Sequence, residues 1–472
     1  MPDSAVDSAA ASAAASAASA ATPAPPADSV APVHDQSSNV RLLTQLLRLA
    51  APTSLVAALQ VVSQVTETWL AARQGTAALA GWAVILPFAL LMQQMSTGAM
   101  GGGVVSAIAR ALGAKKNEEA STLVQHACVI ALVAGAGFAL SMSLGGGALV
   151  ETVAGREARA ATMGYVLLIF GVGAIPTWLV NTLASVLRGA GRHGLAARTL
   201  VATWAGFPLL AWLLAEPLRL GMSGIGAAFA LVFLCASASM SLVVLRGGAG
   251  FVPSLRLHLS RALFSRILAV GATACVLSLL HNLTTIVVTS QMRLYGPAAV
   301  AAYGISARLE FLVVPIAFAV GSALTAMVGM AVGEEDWARA RRIARLGGVL
   351  AFVLTGAVGI GAALAPMRFA GFFSNDPQVV SVAAAAIRFV GPALCFFGLG
   401  LAMYFASLGA GRLLFPVLGV AARFTTAALG GVLLASVAGM GMQGYFLSVA
   451  LGLVAFGCLT SVGIRSSVWR IR

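Results

Sequence analysis

Apolar runs long enough for a helix to cross a lipid bilayer, roughly 20 residues each, recur about twelve times along this chain. Irregular backbone facing lipid would leave its polar groups unpaired, so such runs are read as helices. Transmembrane barrel strands would be about ten residues long with strict alternation, and that pattern is absent. Only 9% of the 472 residues are charged and 59% are hydrophobic, against about a quarter charged in a soluble domain. The expected fold class is all-α, a polytopic membrane protein. Its spans are predicted at 43–72, 77–112, 121–148, 160–188, 195–216, 221–246, 263–293, 298–332, 343–367, 379–408, 412–438 and 441–466.

The formal charge of +14 reports topology rather than a nucleic-acid partner. Breaks between runs alternate between rich and poor in basic residues. The rich breaks hold Arg110, Lys115 and Lys116; Arg188, Arg192 and Arg198; Arg246, Arg256, Arg261 and Arg266; and Arg339, Arg341, Arg342 and Arg345. The poor ones hold Arg73, then Arg156 and Arg159, then Arg219, Arg293, Arg368 and Arg388. Basic residues favour the cytoplasmic side in short loops. Both termini are therefore expected in the cytoplasm, with an even number of spans.

Residues 1–39 are rich in Ala, Ser and Pro, lack basic residues, and read as a disordered cytoplasmic tail rather than a signal peptide. The five cysteines lie in apolar stretches without paired spacing, so disulfide and zinc frameworks are not expected and buried thiols are. The longest polar connection, 247–262, reads as a linker between a first bundle, 40–246, and a second, 263–472. The two are related: Gly75-Thr-Ala-Ala-Leu-Ala-Gly-Trp82 matches Gly296-Pro-Ala-Ala-Val-Ala-Ala-Tyr303 at an offset of 221 (296 − 75). Gly189-Ala-Gly-Arg192 matches Gly409-Ala-Gly-Arg412 at 220 (409 − 189). Six spans per unit make these parallel repeats with a cavity expected between them.

Ionisable groups inside spans are costly and mark functional candidates. Glu67 shares a helical face with Gln60 and Gln64, at i, i+4 and i+7. A lone carboxylate on a stripe lining a cavity is suited to taking up and releasing a proton. The seventh span offers Ser278, His281, Asn282, Thr285 and Thr289 on one face, and its imidazole can also carry a proton. In the eighth, Arg308 and Glu310 are about 200° apart around the helix and cannot pair directly. Glu310 instead shares a face with Tyr303 and Ser306. At the repeat-equivalent positions, Val288 stands for Glu67, and Pro87 and Ala89 stand for Arg308 and Glu310, so the charges belong to each half separately. No phosphate-binding Gly-x-x-x-x-Gly-Lys loop and no metal-ligand cluster is visible. No cofactor or resident metal is expected. The run Gly98-Ala-Met-Gly-Gly-Gly103 reads as a close helix-packing surface.

Four segments resemble the multidrug and toxic-compound extrusion (MATE) family: Val65-Thr-Glu-Thr-Trp-Leu-Ala-Ala-Arg-Gln-Gly75, Met92-Gln-Gln-Met-Ser-Thr-Gly-Ala-Met-Gly-Gly-Gly103, Ala109-Arg-Ala-Leu-Gly113 and Ala302-Tyr-Gly-Ile-Ser-Ala-Arg-Leu-Glu-Phe311. The last is similar to bacterial members near the DNA-damage-inducible branch. The resemblance implies a monomeric inner-membrane protein with two bundles around a V-shaped cavity. It implies antiport of organic, often cationic, compounds against protons or sodium, with no catalysis. Glu67 stands where many members carry an aspartate. His281 and Phe397 stand about where sodium-coupled members carry a glutamate and an aspartate, and apolar residues around Phe207 and Ala211 replace a polar pair. Proton coupling through Glu67 is the expectation. Gln60, Gln64, Gln94, Asn181, Trp178, His281, Tyr303, Arg308 and Glu310 are the candidate cavity residues, with Trp178 and Tyr303 available to stack on a cation. A flippase for anionic lipid-linked precursors is disfavoured on the reading that Arg308 is the only basic residue well inside a span. A membrane-embedded enzyme is disfavoured by the missing catalytic constellation.

Overall fold

The computed structural model describes residues 33–254, 259–466 and 469. The chain forms two units, Met1–Arg41 and Leu42–Arg472, and the second carries the helix bundle. Among the described residues, eleven continuous helices are long and apolar enough to cross a membrane. They are span 1 (Asn39–Arg73), span 2 (Thr76–Gly113), span 3 (Asn117–Ala154), span 5 (His193–Ala215), span 6 (Gly221–Leu245), span 7 (Arg261–Tyr295), span 8 (Pro297–Gly333), span 9 (Trp337–Leu364), span 10 (Pro377–Ala410), span 11 (Leu414–Ser436) and span 12 (Met442–Arg465). Span 4 is a pair, Arg156–Val172 and Ala174–Gly189, bent by 43°. The all-helical fold with about twelve spans is as expected.

Helix ends depart from the hydropathy limits where a cap decides them. Span 9 begins six residues before its predicted start (343 − 337), because the Asp336 carboxylate accepts the Arg339 N–H at 2.8 Å. Asp376 opens span 10 in the same way, accepting from the N–H groups of Gln378 at 2.8 Å and Val379 at 3.4 Å, with Pro377 in the first turn. Gly411 ends span 10 in the left-handed region, φ 69°. Residues 33–39, assigned to the tail, are already helical, whereas residues 1–32 and the linker's Arg256 and His258 lie outside the described residues. Of the cysteines, Cys275 and Cys395 are buried and Cys128 is half-buried, but Cys235 and Cys458 are exposed on the outer surface of the bundle. An apolar thiol needs no shelter from lipid, so the expectation of uniform burial fails.

Span 2 joins the first half of the chain to the second. Its glycines let backbones meet: a Cβ on Gly103 would lie 2.8 Å from the Gly271 nitrogen and the Ile267 carbonyl of span 7. A Cβ on Gly102 would meet Leu408 of span 10 at 3.0 Å, and one on Gly113 would collide with Met330 of span 8. The Ser106 hydroxyl donates to the Leu408 carbonyl at 2.5 Å and the Gly409 carbonyl at 3.3 Å. This Gly101–Gly113 stretch is a tight seal at the end of the bundle that carries Arg110, Lys115 and Lys116. Packing is therefore the role of the glycine run, as the sequence suggested.

Three π-helical turns interrupt the helices: Met95–Ala99 in span 2, Leu167–Val172 in span 4 and Thr426–Gly430 in span 11. Each has a proline 220 residues away in the other half: Pro315 (315 − 95), Pro392 (392 − 172) and Pro208 (428 − 208). A proline and a π turn both free a carbonyl from the regular ladder. The duplicated scaffold thus weakens corresponding points of corresponding helices by different chemistry.

Candidate coupling and cargo sites

The buried face of span 1 runs through Thr53, Val56, Ser63, Glu67 and Leu70. Ser63 fastens it to span 5 by donating to the Trp204 carbonyl at 2.5 Å. Glu67 lies on this face rather than on an open stripe, with Gln60 and Gln64 half-buried beside it. One of its oxygens accepts from the Tyr165 hydroxyl of span 4 at 2.5 Å and from the Trp82 indole N–H of span 2 at 3.4 Å. Glu67 as a whole keeps 9% of its surface and is buried. The π turn at Leu167–Val172 follows Tyr165 within two residues.

A second polar cluster lies between spans 2 and 4. The Asn181 amide donates to Gln93 Oε1 at 3.1 Å and to the Ser96 hydroxyl at 2.9 Å, beside the π turn at Met95–Ala99. Gln93 Nε2, Thr177 Oγ1 and Trp178 Nε1 are buried there without partners. Trp178 is enclosed and tilted against Phe138 at 6.1 Å, which removes it as a stacking surface for a cation. Gln94 is exposed, and its amide oxygen is 3.5 Å from the Asn282 amide of span 7, a contact between the halves just beyond the seal.

In the second half, Glu310 and Arg308 diverge as their spacing predicted. Glu310 turns inward and binds the Arg423 guanidinium of span 11 at 2.6 Å. Arg308 is exposed, with its guanidinium 5.2 Å from the Phe373 ring, and is not a cavity residue. Arg423 is 2% exposed, touches both ring nitrogens of His281, and lies 5.0 Å from the Phe397 ring centre. His281 stacks on Phe397 at 5.2 Å. Tyr303 and Ser306 are buried on the Glu310 face, so Tyr303 presents no open ring. Of the polar face of span 7, Thr285 and Thr289 line a surface groove with Ser290, Arg293 and Val300.

Arg308 is therefore not the one basic group inside the spans. Arg423 is legible in the sequence as a charge within an apolar run, Val-Ala-Ala-Arg423-Phe. Arg188, counted with a loop, is in the last helical turn of span 4 and only 3% exposed. Tyr165 gave no sequence signal. Trp82 gave a faint one, since it is the repeat partner of Tyr303.

The family model described as MatE matches residues 52–213 and again 270–433. Among curated proteins, an FAD transporter of Shewanella oneidensis is 23% identical over 352 residues, covering 71% of this chain and 75% of that protein. Among solved structures, a MOP-superfamily transporter of Pyrococcus furiosus, described as having a binding pocket of reverse polarity, superposes with a TM-score of 0.83. It is 20% identical and covers 91% of this chain and 98% of that one. An outward-facing multidrug resistance transporter of the MATE family gives 0.82 at 20% identity, with coverage of 91% and 98%. A mutant of the Vibrio cholerae MATE transporter VcmN gives 0.83 at 20%, with coverage of 92% and 100%. These likenesses identify the fold.

Proposed function

The chain belongs to the MATE family of membrane transporters, within the MOP superfamily, and from that premise we propose that it exports small organic molecules in exchange for protons, with Glu67 as the proton carrier. A family member of this kind is a transporter and not an enzyme. The arginine-rich breaks set the sealed end of the bundle toward the cytoplasm. On that orientation both termini are cytoplasmic and the membrane is a bacterial inner membrane. The two family matches, at 52–213 and 270–433, are consistent with a first bundle at 40–246, a linker at 247–262 and a second bundle at 263–472. The segment Ala302–Phe311 favours the DNA-damage-inducible branch.

The observation that carries the reading is the surroundings of Glu67. Its two partners, Tyr165 and Trp82, are neutral donors. Protonation leaves no buried opposite charge behind, and the Tyr165 hydroxyl can reverse from donor to acceptor. A Trp N–H cannot, so the Trp82 contact weakens and the packing of spans 1, 2 and 4 changes with the proton. A sodium ion would prefer several oxygen ligands, as hard cations do, and among the described residues the side-chain hydrogen-bond partners of the carboxylate are one hydroxyl, Tyr165, and one indole N–H, Trp82. In the second half the fixed Arg423 cation stands against Glu310 and His281, which disfavours a mobile cation there. The test is transport by proteoliposomes under an imposed pH gradient. Glu67→Gln is expected to lower gradient-driven transport to background, about tenfold or more, the cost of losing a proton carrier. Transport equal to that of the parent sinks the assignment.

The charge of the cargo has a second reading. The family resemblance implies cationic cargo, and a single intramembrane base at Arg308 would weigh against an anionic lipid-linked one. Arg423 is neutralised by Glu310, but Arg188 is buried without a carboxylate among the described residues. That unpaired positive charge favours anionic cargo, and so does the likeness to an FAD transporter.

A further inference from the structure

Among the described residues, three charged sites are buried within the spans, and two of them are compensated. Glu67 has its donors, and Glu310 has Arg423. Arg188 stands apart. It is 3% exposed, and among the described residues it has neither an ion pair nor a hydrogen-bond acceptor for its guanidinium. A guanidinium held inside the packed end of a span without a counter-charge is an unanswered donor fork, so such a group calls for an anion.

Its position says where the anion comes from. Side chains of a helix lean toward its N-terminus, so Arg188 reaches from the last turn of span 4 back into the bundle. Its guanidinium carbon lies 5.9 Å from the Phe318 ring of span 8, across the junction between the halves. Phe318 in turn packs on Phe405 of span 10 and faces Gly98 of span 2, where a Cβ would come within 3.9 Å of the ring. Three turns back along span 4, close to the helix face of Arg188, the Thr177 hydroxyl is buried without a partner among the described residues, as is Gln93 Nε2 of span 2. Both can give a hydrogen bond, and an anion is the ligand that accepts several at once. The seal made by Gly103, Ser106 and Gly113 closes this place on the basic side, so parting the seal would open Arg188 to the cytoplasm.

We infer that Arg188, backed by Phe318, is the intake contact for the anionic group of the cargo, a carboxylate or phosphate held by the guanidinium fork. This rests on the anionic-cargo reading above. Riboflavin and flavin mononucleotide share one ring system and differ by a phosphate, so they separate charge from shape. Binding of each to the full-length protein in nanodiscs is followed by flavin fluorescence, with inorganic phosphate as a third probe and a cationic dye as a fourth.

Arg188→Gln is expected to weaken flavin mononucleotide binding by about tenfold or more, the loss of a charge-assisted contact, and riboflavin binding by less than about twofold. Arg188→Lys, which keeps the charge without the fork, falls between. If the parent binds flavin mononucleotide and Arg188→Gln binds it equally well, this contact is wrong while anionic cargo stands. If the parent binds the dye but neither flavin mononucleotide nor phosphate, the anionic reading itself falls. Binding of phosphate alone, or competed only by phosphate, means a free-anion site and overturns the cargo role. Should Arg188→Gln fail to fold, Arg188→Lys decides: equal losses for both flavins make the residue structural.

Discussion

In the first half of the chain the buried acid, Glu67, faces a tyrosine hydroxyl and an indole N–H; in the second, Glu310 faces a guanidinium. The repeat brings a polar-tipped aromatic to the same place in each half, Trp82 and Tyr303, both buried on the face toward the local acid. What differs is the charge of the partner. Neutral donors let a carboxylate gain or lose a proton without stranding another charge. An arginine partner does not, because protonating Glu310 would leave Arg423 bare in a low-dielectric interior. The first arrangement suits a group that cycles and the second a fixed brace between spans 8 and 11. The π turns and prolines repeat the lesson for the backbone: the halves share where a helix yields, and each has its own way of yielding.

Breaking the brace should have the largest effect. Arg423→Met or Glu310→Gln alone is expected to destabilise the protein by about 3–5 kcal/mol, the usual result of stranding one member of a buried pair. The double variant should recover most of that loss in thermal unfolding of the purified protein. If the singles unfold like the parent, the contrast between halves disappears. At the Glu67 site the expected cost is smaller. Tyr165→Phe removes a hydrogen bond to the Glu67 carboxyl, worth about 1.5–3 kcal/mol when the acceptor is ionised, and should shift the pH profile of transport where Arg423→Met does not. An unchanged profile would mean that Tyr165 only packs.

Trp82→Phe removes the longer, weaker bond at the same acid, and the expected loss is about 0.5–1.5 kcal/mol. A loss as large as that of Tyr165→Phe would say that Trp82 holds the site by packing rather than by its N–H. The smallest effect belongs at the surface. Arg73 and Gln74 grip Glu216 with hydrogen bonds of 3.0–3.2 Å at the ends of spans 1 and 5, outside the buried sites. The hydrogen bond from Arg73 holds the Glu216 carboxyl below its ordinary range. Any stabilisation from it is present above the ordinary carboxylate pKa and disappears as pH falls through the lowered value. Glu216→Gln should leave thermal stability near neutral pH within measurement error, since exposed pairs contribute little.

Hydropathy alone located twelve spans, because crossing hydrocarbon demands an unbroken apolar length whatever its neighbours are. Span 6, predicted at 221–246, is observed at Gly221–Leu245. Spacing also predicted that Arg308 and Glu310 must part, since helix geometry fixes angles between residues of one helix. It did not reveal that Glu310 meets Arg423, 113 residues away, or that Glu67 meets Tyr165, 98 residues away. Periodicity put Gln60, Gln64 and Glu67 on one face, but contacts with Trp82 of span 2 and Tyr165 of span 4 buried the carboxylate and left the amides half-buried.

The amino-acid order by itself determined that this chain is a membrane-spanning helical repeat, which of its residues carry charge into the bilayer, and which face of each helix they occupy. Only the tertiary structure decided which of those charges are answered, by whom, and which one is left open. Local patterns fix what a helix presents; pairing depends on how helices from distant parts of the chain are rotated and pressed together, and packing sets that.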